Sequence, residues 1–505
     1  MTSTTETQIA PPMLPFIGQG QSLMKAALLM ALASATLLPH FLLCAVFGPV
    51  GFVGVVGVTL AGMFLNTQFA FALFVICLFL QNLFIAIVTP LTPGVDNFTP
   101  MLGTSFVNIV LTSGLCAIVW QKERLALPAA SASLQRSLLF FFIVVVLYGG
   151  LGVMHASLND AILYMRVYLV GGLLLIMGVA FGLYLTSGFS MNVLKVMTFL
   201  LVLWGLLEFL FTYGMYSLFN IAEYLRLKYS TDLYSTFYSI EETINFASRS
   251  YLNLSGALGL QVDLLRPQGP NVHPISYAYA LAFGAIVAYV NRATLLTAGC
   301  LALLLLVGAK GPLIMGFLSL MLATFYGFAR NPHWLKTSLV ASMALYIVAG
   351  LAYGSYTRDY HVIGFWGGVT GFISNPLGHG VGVGGNLSSL AGAKTNFSFF
   401  QNYGANFALE SGFGVMLYQI GICTIVFLFF YWRLWQNVWR AVMHFSNEPR
   451  LVAIPCALAI LLVNSIFQEE AFSPAGWGPL MLLSGLLLAK YWKALMLPSS
   501  RQSDA

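Results

Sequence analysis

Apolar residues run through this chain in stretches of 16 to 23, separated by short breaks that carry Lys, Arg, Asp, Gly or Pro. A bilayer hydrocarbon core of about 30 Å is crossed by about 20 residues of helix, so stretches of this length predict membrane spans. Fourteen are predicted, at about 25–43, 47–65, 69–88, 103–120, 137–154, 166–185, 191–213, 273–290, 293–308, 312–329, 334–353, 412–431, 452–468 and 474–492. The fold expected is therefore all-α, a polytopic membrane helical bundle of about 14 transmembrane helices. Two polar stretches interrupt the rhythm, 214–272 and 354–411. Each is far longer than the ~12–15 residues at which a structureless loop becomes uncommon, which predicts short helices inside both. The organisation expected is a tail (1–24), N-terminal helices (25–213), a first loop (214–272), central helices (273–353), a second loop (354–411), C-terminal helices (412–492) and a second tail (493–505).

The first loop is rich in Tyr and Phe and carries Glu223, Arg226, Lys228, Asp232, Glu241, Glu242, Arg249 and Asp263. The second opens at Arg358, closes at Glu410 and contains FISNPLGHGVGVGGN from Phe372 to Asn386. Within it, His361 to Ile373 reads as an interfacial helix with Phe365 and Trp366 at headgroup depth.

Composition agrees with the pattern. Hydrophobic residues make up 59% of the chain and charged residues 8%, and the mean hydropathy is +0.85. Soluble domains are about half apolar and about a quarter charged, so a soluble class is excluded. Cytoplasmic loops carry an excess of Lys and Arg. With the N-terminus inside, fourteen of the 22 basic residues fall on the inner side and eight on the outer. Both termini are then expected in the cytoplasm, both long loops outside, and the net charge of +6 reads as a topology signal with no nucleic-acid partner. The first twenty residues lack the basic start and cleavage site of a signal peptide. All six cysteines lie within predicted spans, where thiols act as small hydrophobes; no disulfide framework, metal site or cofactor is implied. No convincing inverted repeat is found, which weighs against a transporter.

Four cations stand at or near predicted outer helix ends: Arg166, Arg266, Lys310 and Arg358. A charge at membrane depth is costly and marks function by default, and a guanidinium matches phosphate oxygens with a planar fork. The competing reading is that each pairs with a nearby acid or snorkels to the surface. In RPQGPNVHPISYAYA, Arg266 and Gly269 precede a helix whose first turn suits Pro274, a place where free amides face an anion. His273 is either a base or a structural hydrogen-bonding group. Among the acids, Glu410 and Glu469 are read as nearest to membrane depth, Glu410 as a general base or as a first-turn carboxylate favoured by the helix dipole. Glu469 and Glu470, on a short outer turn, read more simply as solvated charge. Gly378, Gly380, Gly382, Gly384 and Gly385 either cradle a ligand or form a tight turn, with His379 between them.

In order and spacing these parts resemble the O-antigen ligase and O-antigen polymerase superfamily of polytopic membrane glycosyltransferases. The resemblance runs from about Arg266 to Gly421. RPQGPNVHP is similar to that family's Arg-x-x-Gly element ending in Pro, GAKG puts Lys310 where the family has Arg, and Arg358 through NPLGHGVGVGG is similar to its Arg, helix and Pro-x-x-Gly-x-Gly. Eleven residues before Gly421, where its ligases carry His, stands Glu410, followed by Ser411. Leu417 keeps the family pattern, Gln419 replaces an acid, and the Phe and Asn of the first element are missing.

The resemblance implies a metal-independent glycosyltransferase of the exopolysaccharide polymerase branch in a bacterial inner membrane. Its implied substrate is a polyprenyl-diphosphate-linked oligosaccharide, with a chain-length regulator and export machinery as partners. It implies Glu410 as base, Arg266 and Arg358 as catalytic cations, and Lys310, Arg166, His273, Gly269, Gly378, His379 and Gly380 as substrate-binding residues. Ligase-type transfer to another acceptor, a lipid-linked oligosaccharide flippase and a non-catalytic scaffold of an export complex stay open as alternatives.

Overall fold

The computed structural model of the chain describes residues 21–92, 94–123, 127–229, 239–250, 263–389 and 408–496. Both predicted terminal tails lie largely, and Asp232 and Lys394 of the two loops entirely, outside the described residues. The described chain is a helical bundle. The N-terminal part holds α1 (Gln21–Phe47), α2 (Pro49–Leu65), α3 (Thr67–Val88), α4 (Val95–Glu123), α5 (Ala129–His155), α6 (Leu158–Tyr184) and α7 (Ser187–Leu210). The first loop does contain helices: α8 (Thr212–Leu218), α9 (Ile221–Lys228) and α10 (Ile240–Ala247). It also contains a two-stranded antiparallel ribbon, β1 (Ser248–Ser250) with β2 (Asp263–Leu265), pairing Ser248 with Leu265.

The central part holds α11 (Pro274–Val290), α12 (Thr294–Val307), α13 (Lys310–Ala329) and α14 (Pro332–Thr357). The predicted interfacial segment is a helix, α15 (Tyr360–Ser374), and the chain ends in α16 (Gly412–Ile420), α17 (Thr424–His444), α18 (Ala453–Phe467) and α19 (Gly478–Met496). Side chains set several of these starts. Asn66 accepts the Gln68 and Phe69 amides at α3, Ser157 the Asp160 amide at α6, and Asn331 the His333 and Trp334 amides at α14.

Ten helices among the described residues are long and apolar enough to cross a membrane. Apolar segments in α2, α11 and α12 are shorter. At 1.5 Å per residue, the 17 residues of α11 and 14 of α12 reach only about 25 and 21 Å. The all-helical membrane bundle therefore stands on ten helices, and a count of fourteen crossings goes beyond what length and composition support. Several boundaries differ from expectation: α4 and α5 each begin eight residues early, α17 runs on to His444, and two further differences bear on the site. The segment 412–431 is two helices with a 3-10 turn at Gly421–Cys423 between them, because Gly421 has φ +54° and abuts the backbone of Pro376 and Gly378. Helix α6 begins at Leu158, eight residues before the expected start at Arg166. The Ser157 cap and the polar first turn Leu158–Ala161 explain the difference, since hydropathy alone cannot see a polar helical turn.

The densest packing is between α6 and α19, where small residues bring two backbones together. A Cβ on Gly485 would lie 2.5 Å from the Leu175 carbonyl oxygen, the kind of seam on which membrane helices associate. Trp477, completely buried, packs on Gly171 of α6 just before α19 begins.

Candidate functional site

Beside that seam the helices leave a cavity of about 680 Å³. Apolar side chains of α3, α4 and α6, among them Leu78, Leu102, Phe106, Ile162 and Val170, form one part of its wall. The other part is polar: Arg166 from α6, Tyr224, Lys228 and Tyr229 at α9, His273 and Ser276 at the start of α11, and Glu470 from the turn before α19. The cavity is amphipathic, with its charges gathered on the loop side.

Arg166 stands eight residues into α6, about 12 Å along the helix from Leu158. Its Nε is buried and has no hydrogen-bond partner, and the charge of Glu470 reaches it. A buried, unsatisfied guanidinium nitrogen is expensive unless something supplies an acceptor. Burial pulls the Lys228 ammonium down, but Tyr224, Tyr229 and Glu470 more than offset that and hold it above its ordinary value. Lys228 is therefore charged at neutral pH. His273 is lowered, first by burial and then by Lys228 and Arg266, with Glu470 opposing. A lowered His273 is neutral near pH 7, so its 3.9 Å approach to Glu470 is not an ion pair under those conditions.

His273 caps α11, its Nδ1 accepting the Ser276 amide at 3.3 Å and lying 2.9 Å from Ser276 Oγ. The Ser276 hydroxyl donates to Glu470 Oε1 at 2.5 Å. With two cations, one carboxylate and a neutral imidazole, the cavity carries net positive charge.

Of the residues expected from the sequence, Arg166 and His273 line this cavity; Arg266, Lys310, Arg358 and Glu410 do not. Arg266 Nε donates to the Val307 carbonyl at 2.8 Å, three residues before Lys310, so these two cations share the turn between α12 and α13. Lys310 is exposed there, and Arg358 caps the end of α14 with φ +53°, also exposed.

The amides near Arg266 do face an anion, but an internal one. Gln268 and Gly269 donate to Glu208 at 2.7 and 2.8 Å, and Tyr216 and Trp204 complete its shell. Gly269 serves this turn with φ +65°. Glu208, in α7, is also the correction to the expectation that Glu410 and Glu469 are the acids nearest membrane depth. Its sequence signal was a lone acid in the apolar run LLEFL, which points to a buried and satisfied partner.

The glycine ladder packs against protein backbone. Gly378, Gly380, Gly382, Gly384 and Gly385 all have positive φ. A Cβ on Gly380 would lie 2.7 Å from the Gly152 nitrogen of α5, and one on Gly382 2.6 Å from the Ala161 nitrogen of α6. His379 stacks on Tyr418 at 3.9 Å, and its Nδ1 lies 3.0 Å from the Tyr418 carbonyl oxygen.

At the end of this loop Glu410 has φ +56°. Its carbonyl accepts the Glu469 amide at 2.8 Å, and its carboxylate lies 3.6 Å from His361 Nδ1. Glu469 accepts from the Tyr164 hydroxyl and, at 3.1 Å, from the Asn386 amide. Burial, then repulsion from Glu410 and Glu470, pushes Glu469 up to about 7 against those hydrogen bonds.

Sequence reasoning passed over Lys228 and read Glu470 as solvated charge. The signal for Lys228 lay in its aromatic neighbours, YLRLKY, on a loop helix. No protein-family profile, curated protein or solved structure matches the chain.

Proposed function

We propose that this protein is a membrane glycosyltransferase that polymerises oligosaccharide units carried on a polyprenyl diphosphate, at the outer face of a bacterial inner membrane. The observation that carries the reading is the amphipathic cavity, in which Arg166, with its unpartnered Nε, and Lys228 stand at one side of an apolar wall. An anionic head on a long isoprenoid tail has the complementary shape and charge. The acceptor hydroxyl attacks the anomeric carbon, and the cations stabilise the negative charge that gathers on the departing diphosphate. Arg266 and Lys310, on the neighbouring turn, extend the positive field toward the loop side. The outward orientation rests on the Lys and Arg distribution, and a chain-length regulator and export machinery remain the expected partners.

Transport of the same lipid is the second reading, favoured by the position of Arg166 about 12 Å down α6, toward the depth at which transporters hold their substrates. Ligase-type transfer would use the same donor with a different acceptor.

Reconstitution of the full chain in liposomes with a polyprenyl-diphosphate-linked oligosaccharide separates these readings. Polymerisation yields longer glycans and free polyprenyl diphosphate. Movement of unaltered lipid-linked oligosaccharide across the bilayer, with no lipid diphosphate released, would overturn the transferase reading in favour of transport.

A further inference from the structure

The glycosyl transfer proposed above needs a base for the acceptor hydroxyl, and the structure distinguishes among the carboxylates by what already occupies them. Glu208 is enclosed by four donors. Glu223 is paired with Arg226 through two hydrogen bonds, at 2.8 and 2.5 Å. Asp160 holds the Ser389 amide and hydroxyl at 3.0 and 2.6 Å. Glu469 is engaged at both oxygens, by Tyr164 and Asn386. Glu410 faces His361 and does not line the cavity.

Glu470 differs from all of these. Among the described residues it is the one carboxylate lining the cavity, together with Arg166 and Lys228. Its Oε1 is fixed by the Ser276 hydroxyl, and its Oε2 has no hydrogen-bond partner among the described residues. Ser276 is itself fixed, because it stands in the first turn of α11 under the His273 cap. A carboxylate with one oxygen oriented and the other open is placed as a general base requires.

We propose that Glu470 takes the proton of the acceptor hydroxyl, with Ser276 and His273 as positioning residues, and that Glu410 holds the loop end instead of touching substrate. This rests on the transferase reading. In the step, the acceptor oxygen forms a bond to the anomeric carbon while its proton passes to Glu470 Oε2. The bond from the anomeric carbon to the diphosphate oxygen breaks, and its electron pair leaves on the diphosphate beside Arg166 and Lys228. Charge and atoms balance without a further reactant. Water later takes the proton from Glu470.

The test is the rate of polyprenyl diphosphate release in liposomes, with binding of lipid-linked oligosaccharide measured separately. Glu470→Gln keeps the size of the side chain and its acceptor for Ser276. Its rate is expected to fall by about 10²–10⁴ with binding retained, the range for loss of a general base. Glu410→Gln is expected to stay within about tenfold of the parent, well short of that range. Sodium formate, a small external carboxylate, is expected to restore part of the rate to Glu470→Ala; a purely structural role would not respond to it.

A Glu470→Gln protein releasing lipid diphosphate at the parent rate would overturn the assignment, as would a larger loss from Glu410→Gln. If Glu470→Gln is not recovered folded, Glu470→Asp is read in the same way, since it withdraws the carboxylate by one methylene. Failure of the unaltered protein to release lipid diphosphate is a different result: it removes the transferase reading, and the base with it.

Discussion

Two glutamate–histidine pairs stand on the loop side of this molecule at nearly equal separations, Glu410 with His361 at 3.6 Å and Glu470 with His273 at 3.9 Å. Their surroundings make them different objects. The first joins the end of the glycine-rich loop to the start of α15, and the Glu410 backbone also holds Glu469. The second opens on a cavity with two cations, and its carboxylate is oriented by a serine. A glutamate beside a histidine says little about chemistry by itself; space for a ligand, an unoccupied acceptor and nearby opposite charge decide it.

The comparison breaks most readily at the ladder. If the Glu410 side is scaffold, Gly380→Ala should destabilise the protein by about 2–4 kcal/mol, because it adds a strained φ and an overpacked contact with α5. It would show as a lower unfolding temperature with ligand affinity preserved in the folded fraction. Unchanged stability with lost donor binding would instead put the ladder at the ligand.

On the cavity side, Arg166→Ala should weaken binding of the lipid-linked donor by about 10- to 100-fold, the scale of one charge-assisted hydrogen-bonding group. Arg166→Lys should recover only part of this, since the planar fork is lost. Titration of labelled donor into protein in liposomes measures both, and affinity equal to the parent in Arg166→Ala would move the anion seat elsewhere.

The smallest expected effect concerns Glu469, which lies between the two pairs. Its folded-state value, about 7, is above the ordinary 4.5, so the folded protein holds this proton more tightly than the unfolded chain. Its contribution to stability is therefore largest at low pH and declines as pH rises through the window from about 4.5 to about 7. Glu469→Gln should flatten that part of the curve, changing the unfolding temperature by a few degrees less than in the parent between about pH 5 and about pH 8. Identical curves would mean that Glu469 titrates normally in the folded protein.

Much of the architecture was legible because a membrane span needs only length and apolarity, both visible in one dimension. Most predicted apolar segments fall on a single helix, 412–431 being divided between two, and both long loops contain helices. Helix starts were less visible. The early start of α6 depends on Ser157 and a polar first turn, and it places Arg166 two turns inside the helix instead of at its end. The site was legible in part: Arg166 and His273 stood out as a costly cation and a helix-start histidine, and both line the cavity.

That this chain is a helical membrane protein could be read from its residues alone, because hydrophobic run length follows directly from the thickness of the solvent it must cross. Which polar groups share a cavity follows from the packing of the helices and loops in space. Lys228, His273 and Glu470 lie far apart in the chain and meet because α9, the start of α11 and the turn before α19 all border one cavity. The same packing gave the amides near Arg266 to Glu208 and the glycine ladder to the backbones of α5 and α6. Whether a polar group is already satisfied depends on three-dimensional neighbours, and residue type and spacing do not carry that information.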